Sequence, residues 1–305
     1  MFFLLIIPLL GFCHADLLLG AGGGTGDDAA QDGQSEVLDV IQNLNCSAPP
    51  PFPIDGICSS GVSSPEGVML CGGNDSGGEI PNPGRADCYT LSDNKWVKQR
   101  SMGTPRWEAA STYFLTGNWW VGGGMHNNKV LRSTELLNME DGVWQDVSHL
   151  PFGLAGHCAE ALDNTTVFIT GGMVLNGSLV EHDLVINNHT FMMDIYTGKV
   201  EFLKPMRQSR TMHACTTLSD GSIMVVGGLA KAIIDQPEKA LNTVEIFDPR
   251  TKTWTEGAPL PHGYIMPSLV NIAGLPGQLL VGGLKSAPDG WSMLETAFFL
   301  YMDGL

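Results

Sequence analysis

Five glycine doublets recur along the chain: Gly72-Gly73, Gly122-Gly123, Gly171-Gly172, Gly227-Gly228 and Gly282-Gly283, separated by 50, 49, 56 and 55 residues. Each closes a short apolar run, such as Val68-Met69-Leu70-Cys71, Val167-Phe168-Ile169-Thr170 or Ile223-Met224-Val225-Val226. A fixed period near 50 residues marks a repeat architecture in which each unit buries its apolar surface against the next copy. The runs are too short for helices and are bounded by Gly, Asp and Asn turns (Thr116-Gly117-Asn118, Asp163-Asn164, Asp220-Gly221), as expected for antiparallel hairpins. Four such strands per unit build the blade of a β-propeller.

The remainder of the repeat keeps the same frame. Tyr89 precedes Trp96, Leu137 precedes Trp144 and Phe247 precedes Trp254, each by seven residues. These tryptophans are expected to pack between neighbouring blades. The third repeat keeps the frame at Met193-Asp194-Ile195-Tyr196-Thr197-Gly198-Lys199 but has Val200 where a tryptophan belongs. The doublets should end the second strand of each blade, where residues without Cβ let the backbone turn or approach a neighbour.

On these glycines and tryptophans, residues 35–305 resemble the kelch-repeat β-propellers. The repeats fall at about 55–101, 105–150, 155–207, 210–260 and 262–305. Such propellers commonly close by sharing one blade between the two chain ends. Glu36-Val37-Leu38-Asp39, Cys46 and Pro49 to Pro53 mimic Glu245-Ile246-Phe247-Asp248, Trp254 and Pro259-Leu260-Pro261. Residues 35–53 therefore read as outer strands of a last blade whose inner strands should come from the C-terminus. No sequence after the fifth repeat supplies them, which points to a six-bladed propeller truncated at its C-terminus; the alternative is a five-bladed closure completed by residues 35–53.

The first 15 residues carry a nine-residue apolar run, Phe2 to Leu10, too short to span a bilayer, followed by Cys13-His14-Ala15. This pattern reads as a secretory signal cleaved before Asp16. Residues 16–34 are Gly- and Asp-rich and read as a flexible linker. Export is consistent with five glycosylation sequons at Asn45, Asn74, Asn164, Asn176 and Asn188, all in expected turns or loops. Removing Cys13 leaves an even six cysteines. Cys71–Cys88 is the expected disulfide, because the two flank one loop on antiparallel neighbours. Cys46–Cys58 would tie the closing strands to the first repeat. Cys158 and Cys215 occupy almost equivalent small-residue slots in adjacent repeats and read equally as free thiols or as a disulfide.

Chemistry-bearing constellations are sparse. His157 and His213 each lie 14 residues before a doublet. Repeat equivalence places them on matching sites without a spaced third metal ligand. Arg106 and Arg210 sit near the starts of inner strands, where they could face the central channel or hydrogen-bond a neighbouring blade. No copper-oxidase or sialidase-type signature and no nucleophile elbow is present, so neither catalytic residues nor a cofactor is expected. The net charge of −16 argues against nucleic acid and anionic membranes, and no segment is apolar enough to span a membrane. The loops after the doublets (74–87, 124–132, 173–191, 229–241 and 284–294) are where recognition should reside. The third bears Asn176 and Asn188 and is shielded if both are glycosylated, which leaves the second (Met125 to Lys129) and fourth (Lys231, Lys239) as the better contact candidates. The sequence thus reads as a secreted propeller that binds an extracellular protein or glycan. The alternative is a carbohydrate-directed oxidase or hydrolase on the same scaffold; an intracellular adaptor conflicts with the signal.

Overall fold

The computed structural model describes residues 3–7, 17–23, 34–39, 44–45, 50, 52–53, 59–64, 67–74, 83–93, 95–175, 184–230, 239–271, 278–287, 290–293 and 297–300. Every regular element among them is a β-strand. The sheets are antiparallel meanders in chain order. We number the blades 1 to 5 after the five doublets. Blade 1 comprises Ser60–Ser64, Gly67–Cys71, Cys88–Ser92 and Lys95–Gln99. Blade 2 comprises Ala110–Phe114, Asn118–Gly122, Thr134–Asn138 and Val143–Asp146. Blade 3 comprises Cys158–Ala161, Thr166–Thr170, Thr190–Asp194 and Val200–Phe202. Blade 4 comprises Ala214–Thr217, Ile223–Val226, Val244–Asp248 and Thr253–Glu256. Blade 5 has three described strands, Ser268–Asn271, Gln278–Val281 and Ala297–Leu300.

A sixth sheet precedes them. Phe3–Ile7, Leu17–Gly23, Gln34–Asp39 and Leu44–Asn45 form one four-stranded meander. Gln34–Asp39 and Leu44–Asn45 are its outer strands, as residues 35–53 were expected to be. The inner strands come from residues 3–23, not from the C-terminus. Leu17–Gly23 pairs with both Phe3–Ile7 and Gln34–Asp39, so this part of the expected linker is a strand. Its glycines and aspartates had obscured the apolar start Leu17-Leu18-Leu19. Phe3–Ile7 neighbours the inner strands of both blade 1 and blade 5, which closes the ring at six sheets rather than five.

The core lies between the blades. Trp120 and Leu136 of blade 2 pack with Val167, Ile169 and Phe191 of blade 3. Trp119 and Val121 turn the other way, onto Met69 and Cys71 of blade 1. Phe168 meets Ile223, Val225 and Phe247 of blade 4. Because both faces of a blade are covered, second strands are apolar at consecutive positions instead of alternating. This is the origin of the runs before the doublets.

The outer tryptophans pin blades 1, 2 and 4 to the segment that leaves the preceding sheet. The indole Nε1 of Trp96 donates to Pro50 O at 3.0 Å, Trp144 to Arg100 O at 3.1 Å and Trp254 to Lys204 O at 2.9 Å. Phe52 packs edge-on against Trp96 at 4.8 Å, which explains the proline-phenylalanine segment after the closing strands. Val200 lacks a donor, and blade 3 is instead joined to blade 2 by Ser148, whose N–H and hydroxyl donate to Ile195 O and Tyr196 O. Trp254→Phe should cost about 1 kcal/mol, the net worth of one such bond, read as a lowered urea midpoint at unchanged m-value.

The doublet frame differs from the sequence reading at one repeat. The left-handed pairs are Gly72-Gly73, Gly171-Gly172, Gly227-Gly228 and Gly282-Gly283, as expected, but Gly123-Gly124 in blade 2. Gly122 ends the second strand, at the position held by Thr170 in blade 3. It is glycine because a Cβ there would lie 2.2 Å from the Trp120 ring.

Candidate functional site

The described inner strands surround a cavity of about 270 Å³ lined at the doublet end by residues of blades 1 to 5, among them Glu108, His157, His213, Met212 and Met266. Just ahead of the inner strands of blades 2 to 5, Glu108, Gly156, Met212 and Met266 hold left-handed φ values of 53, 60, 52 and 52°. They are linked blade to blade by backbone hydrogen bonds: Gly156 N to Glu108 O at 2.9 Å, Met212 N to Gly156 O and Met266 N to Met212 O, both at 2.7 Å. The result is a girdle around the channel mouth. Non-glycine residues pay strain there, and such strain concentrates at functional sites.

His157 and His213 occupy matching positions, as the repeat predicts; both are buried, each ring wedged against the first left-handed glycine of the preceding blade. His213 Nε2 lies 3.0 Å from Thr170 Oγ1. The equivalent of Thr170 for His157 is Gly122, which offers no hydroxyl, and both ring nitrogens of His157 lack a partner. Burial pushes the His157 imidazole down to about 3. Burial, then the charge of Arg210 and of His157, pushes His213 down as well. An imidazole depressed in the fold but ordinary when unfolded contributes stability that is lost as pH falls from about 6.5 toward 3. The His157 ring resonances should stay in the neutral position in NMR spectra down to about pH 4, well below an ordinary histidine. No group of three or more potential metal ligands occurs among the described residues.

Glu108 is half-buried where the blades converge, and desolvation raises its carboxyl to about 7. Its Oε2 has no hydrogen-bond partner. Glu160 is likewise raised to about 7 by burial, but its Oε2 accepts from Thr217 Oγ1 at 2.9 Å. The raised carboxyl of Glu108 was not legible in the sequence, because in the Gly122-Gly123 frame the residue falls on the histidine position rather than beside it.

Arg106 and Arg210 do not face the channel. Arg106 donates to Gly123 O at 2.7 Å, Ser133 O at 2.9 Å and Glu135 Oε1 at 2.7 Å, all within its own blade rather than a neighbouring one. Arg210 repeats the set with Gly227 O at 2.7 Å and Glu245 Oε1 at 2.6 Å. Each carboxylate also accepts from the segment entering its blade: Glu135 from Gly103 N at 2.6 Å, Glu245 from Arg207 N at 2.7 Å.

Two cysteine pairs sit at bonding distance. Cys71 and Cys88 are register partners on adjacent strands of blade 1, with Cα atoms 4.1 Å apart, as expected. Cys158 and Cys215 join blades 3 and 4 at 6.0 Å between Cα atoms, which decides between the thiol and disulfide readings. The register explains it: Ala214, not Cys215, matches Cys158, so the two cysteines point to opposite blade faces and meet across the gap. Cys46 and Cys58 lie outside the described residues.

Of the sequon asparagines, Asn164 is exposed in a turn. Asn74 is half-buried in an isolated bridge. Asn188 is half-buried, and its Nδ2 donates to Met206 O at 2.8 Å. Asn242 makes the matching bond to Leu260 O at 3.3 Å, so this asparagine belongs to the repeat frame. Asn45 ends a strand, and Asn176 lies outside the described residues.

After three of the doublets the described residues form short braced hairpins. Met125–His126 pairs with Lys129–Val130, Met173–Leu175 with Leu184–Ile186, and Leu229–Ala230 with Lys239–Ala240. Bridges Trp107–Met125, Ala155–Met173 and Thr211–Leu229 fasten each to the chain entering its blade. Leu175 and Val185 of the blade 3 hairpin are exposed.

Comparison with known proteins places this geometry. A kelch motif is matched over residues 210–261, the blade 4 repeat. The chain is 28% identical over 148 residues to kelch repeat and BTB domain-containing protein 12 of Danio rerio, covering 46% of this chain and 23% of that protein. It is 26% identical to kelch-like protein 15 of Danio rerio (64% of this chain, 34% of that protein) and 27% identical to kelch-like protein 36 of Bos taurus (76% and 35%). The chain thus spans about a quarter to a third of the length of these relatives. The solved structure of YjhT superposes with a TM-score of 0.75 at 14% identity, covering 98% of this chain and 97% of that one. The chain carries a kelch motif, is similar to kelch-repeat proteins and folds as a kelch-type β-propeller.

Proposed function

We propose that this propeller is a secreted binding module whose hairpin face recognises another extracellular protein. The observation that carries the reading is the bracing of the three hairpins to the blade entries, which preorganises a recognition surface and lowers the ordering cost of binding. The similar kelch-like proteins support binding rather than catalysis. Two cysteine pairs at bonding distance support an oxidising compartment.

The test is affinity capture from the secreting tissue's medium with a double variant, Leu175→Asp/Val185→Asp, against Leu115→Asp, an exposed leucine on the opposite end of blade 2. Wild type and Leu115→Asp should retain the same specific partner, while the hairpin variant loses it. Equal capture by all three sinks the face assignment, and selective binding on a glycan array would move the ligand class from protein to carbohydrate. Export is read separately, from N-terminal sequencing of the secreted chain. Cleavage before Asp16 removes Phe3–Ile7 from the ring and leaves Leu17–Gly23 as the innermost strand of its sheet, whereas an intact N-terminus overturns the signal reading.

A further inference from the structure

Two glycosylation sequons of the same pattern, Asn164-Thr165-Thr166 and Asn188-His189-Thr190, sit in opposite surroundings in the fold. Asn164 is exposed in the turn between the first two strands of blade 3. Its neighbours fix that turn. Asp163 Oδ1 accepts from Thr165 N at 2.8 Å and from Thr166 N at 2.7 Å, and Thr165 Oγ1 donates to Asp194 Oδ2 at 2.9 Å. The Asn164 amide takes no part in these bonds, so the turn stands without it. Asn188 is half-buried beside the segment that leads from blade 3 to blade 4, and its Nδ2 donates to Met206 O at 2.8 Å. Met206 N in turn donates to Asn188 O at 3.0 Å. Asn242 and Leu260 make the same pair of bonds in the next repeat, although Asn242-Thr243-Val244 is not a sequon. An asparagine at this position thus serves the repeat frame whether or not a sequon surrounds it. Thr190, the hydroxyl residue of the second sequon, is only 1% exposed.

We propose that Asn164 carries an N-linked glycan and that Asn188 is a structural amide that carries none. This assignment rests on the export reading, because the modification belongs to secreted chains. Transfer joins Asn164 Nδ2 to the anomeric carbon of a lipid-pyrophosphate-linked oligosaccharide. The bond from that carbon to the pyrophosphate oxygen breaks, and the amide loses one proton. An exposed amide with no internal partner gives up nothing in this exchange. A sugar on Asn188 Nδ2 would crowd the half-buried site where that nitrogen meets Met206 O, and would strand the carbonyl. Transfer precedes the packing of the blades, so the fold acts by selection. A chain with a sugar at Asn188 cannot close the junction to blade 4 and is lost from the folded pool. The placement bears on recognition. Asn164 lies at the end of blade 3 opposite its doublet, so the glycan covers that end. The hairpin that carries Leu175 and Val185 at the other end is left unshielded from Asn188.

The experiment is peptide mapping of the folded chain recovered from medium, after enzymatic release of N-glycans in heavy-oxygen water, which turns each formerly glycosylated asparagine into a labelled aspartate. Label at Asn164 and none at Asn188 is the expected result. An unlabelled Asn164 or a labelled Asn188 overturns it. Three variants separate modification from structure. Asn164→Gln should lose the mass of one glycan and keep the wild-type thermal midpoint. Asn188→Gln and Asn242→Gln should keep the full glycan mass and lower the midpoint by roughly 2 °C each, the effect of one lost hydrogen bond. An Asn188→Gln chain that loses a glycan, or that melts like wild type, overturns the structural role. A secreted chain with a bare Asn164 sinks this assignment alone, whereas a chain absent from the medium sinks the export reading along with it.

Discussion

Arg210→Ala should destabilise the protein by about 3–5 kcal/mol, the cost of stranding one member of a buried ion pair. The guanidinium is fully buried and the Glu245 side chain only 3% exposed, so neither charge can turn to water. Burial by itself pulls the Arg210 guanidinium below its ordinary value, and the charge and hydrogen bond of Glu245 oppose it. Removing Arg210 leaves Glu245 uncompensated and frees the carbonyls of Gly227 and Thr243. The measurement is equilibrium urea unfolding. Arg210→Met/Glu245→Leu should be less destabilised than Arg210→Ala alone, because it removes the orphan charge, although Arg207 N then loses its acceptor. A single variant within about 1 kcal/mol of wild type would mean that solvent reaches the pair.

Gly171→Ala should cost more than about 3 kcal/mol, whereas Gly142→Ala should cost about 1 kcal/mol. Both glycines are left-handed, with φ of 59 and 66°, so both variants pay the same backbone strain. They differ in surroundings. At Gly171 a Cβ would stand 2.4 Å from Arg210 O and 2.7 Å from the His213 ring, while nothing lies within 4 Å of one at Gly142. The carbonyl belongs to backbone that enters the next blade and cannot rotate away like the end of a side chain. Thermal unfolding of the two variants under one set of conditions separates the terms, and equal losses would show that backbone strain alone sets the requirement for the doublets.

The contrast shows what was legible in the sequence. Doublets, tryptophans and Cys71–Cys88 repeat or adjoin a repeat, and their positions follow from the period. What depends on the neighbouring blade was not readable. Three consecutive glycines at Gly122, Gly123 and Gly124 allow two frames, and only the strand register, which keeps Gly122 paired with Ala110 and Thr134, leaves Gly123 and Gly124 as the left-handed pair. Cys158 and Cys215 look almost equivalent in sequence, but their one-residue offset reverses the face and turns a pair of core thiols into a cross-blade link. An apolar run of Phe2 to Leu10 serves a signal and an inner strand equally well, because both need a short hydrophobic segment. At the cavity, the histidines were singled out but Glu108 was not, since its desolvation arises from blades that converge only in three dimensions.

The tryptophan tethers all run in one direction, from Trp96, Trp144 and Trp254 back to the segment that leaves the preceding blade. Stability in such an array behaves as a chain of nearest-neighbour couplings. A lesion in one blade is therefore felt first by its adjoining blade and only weakly across the ring. Slow-exchanging amides should accordingly lose protection in adjacent pairs of blades, with the wave of local opening following the polarity of the indole bonds.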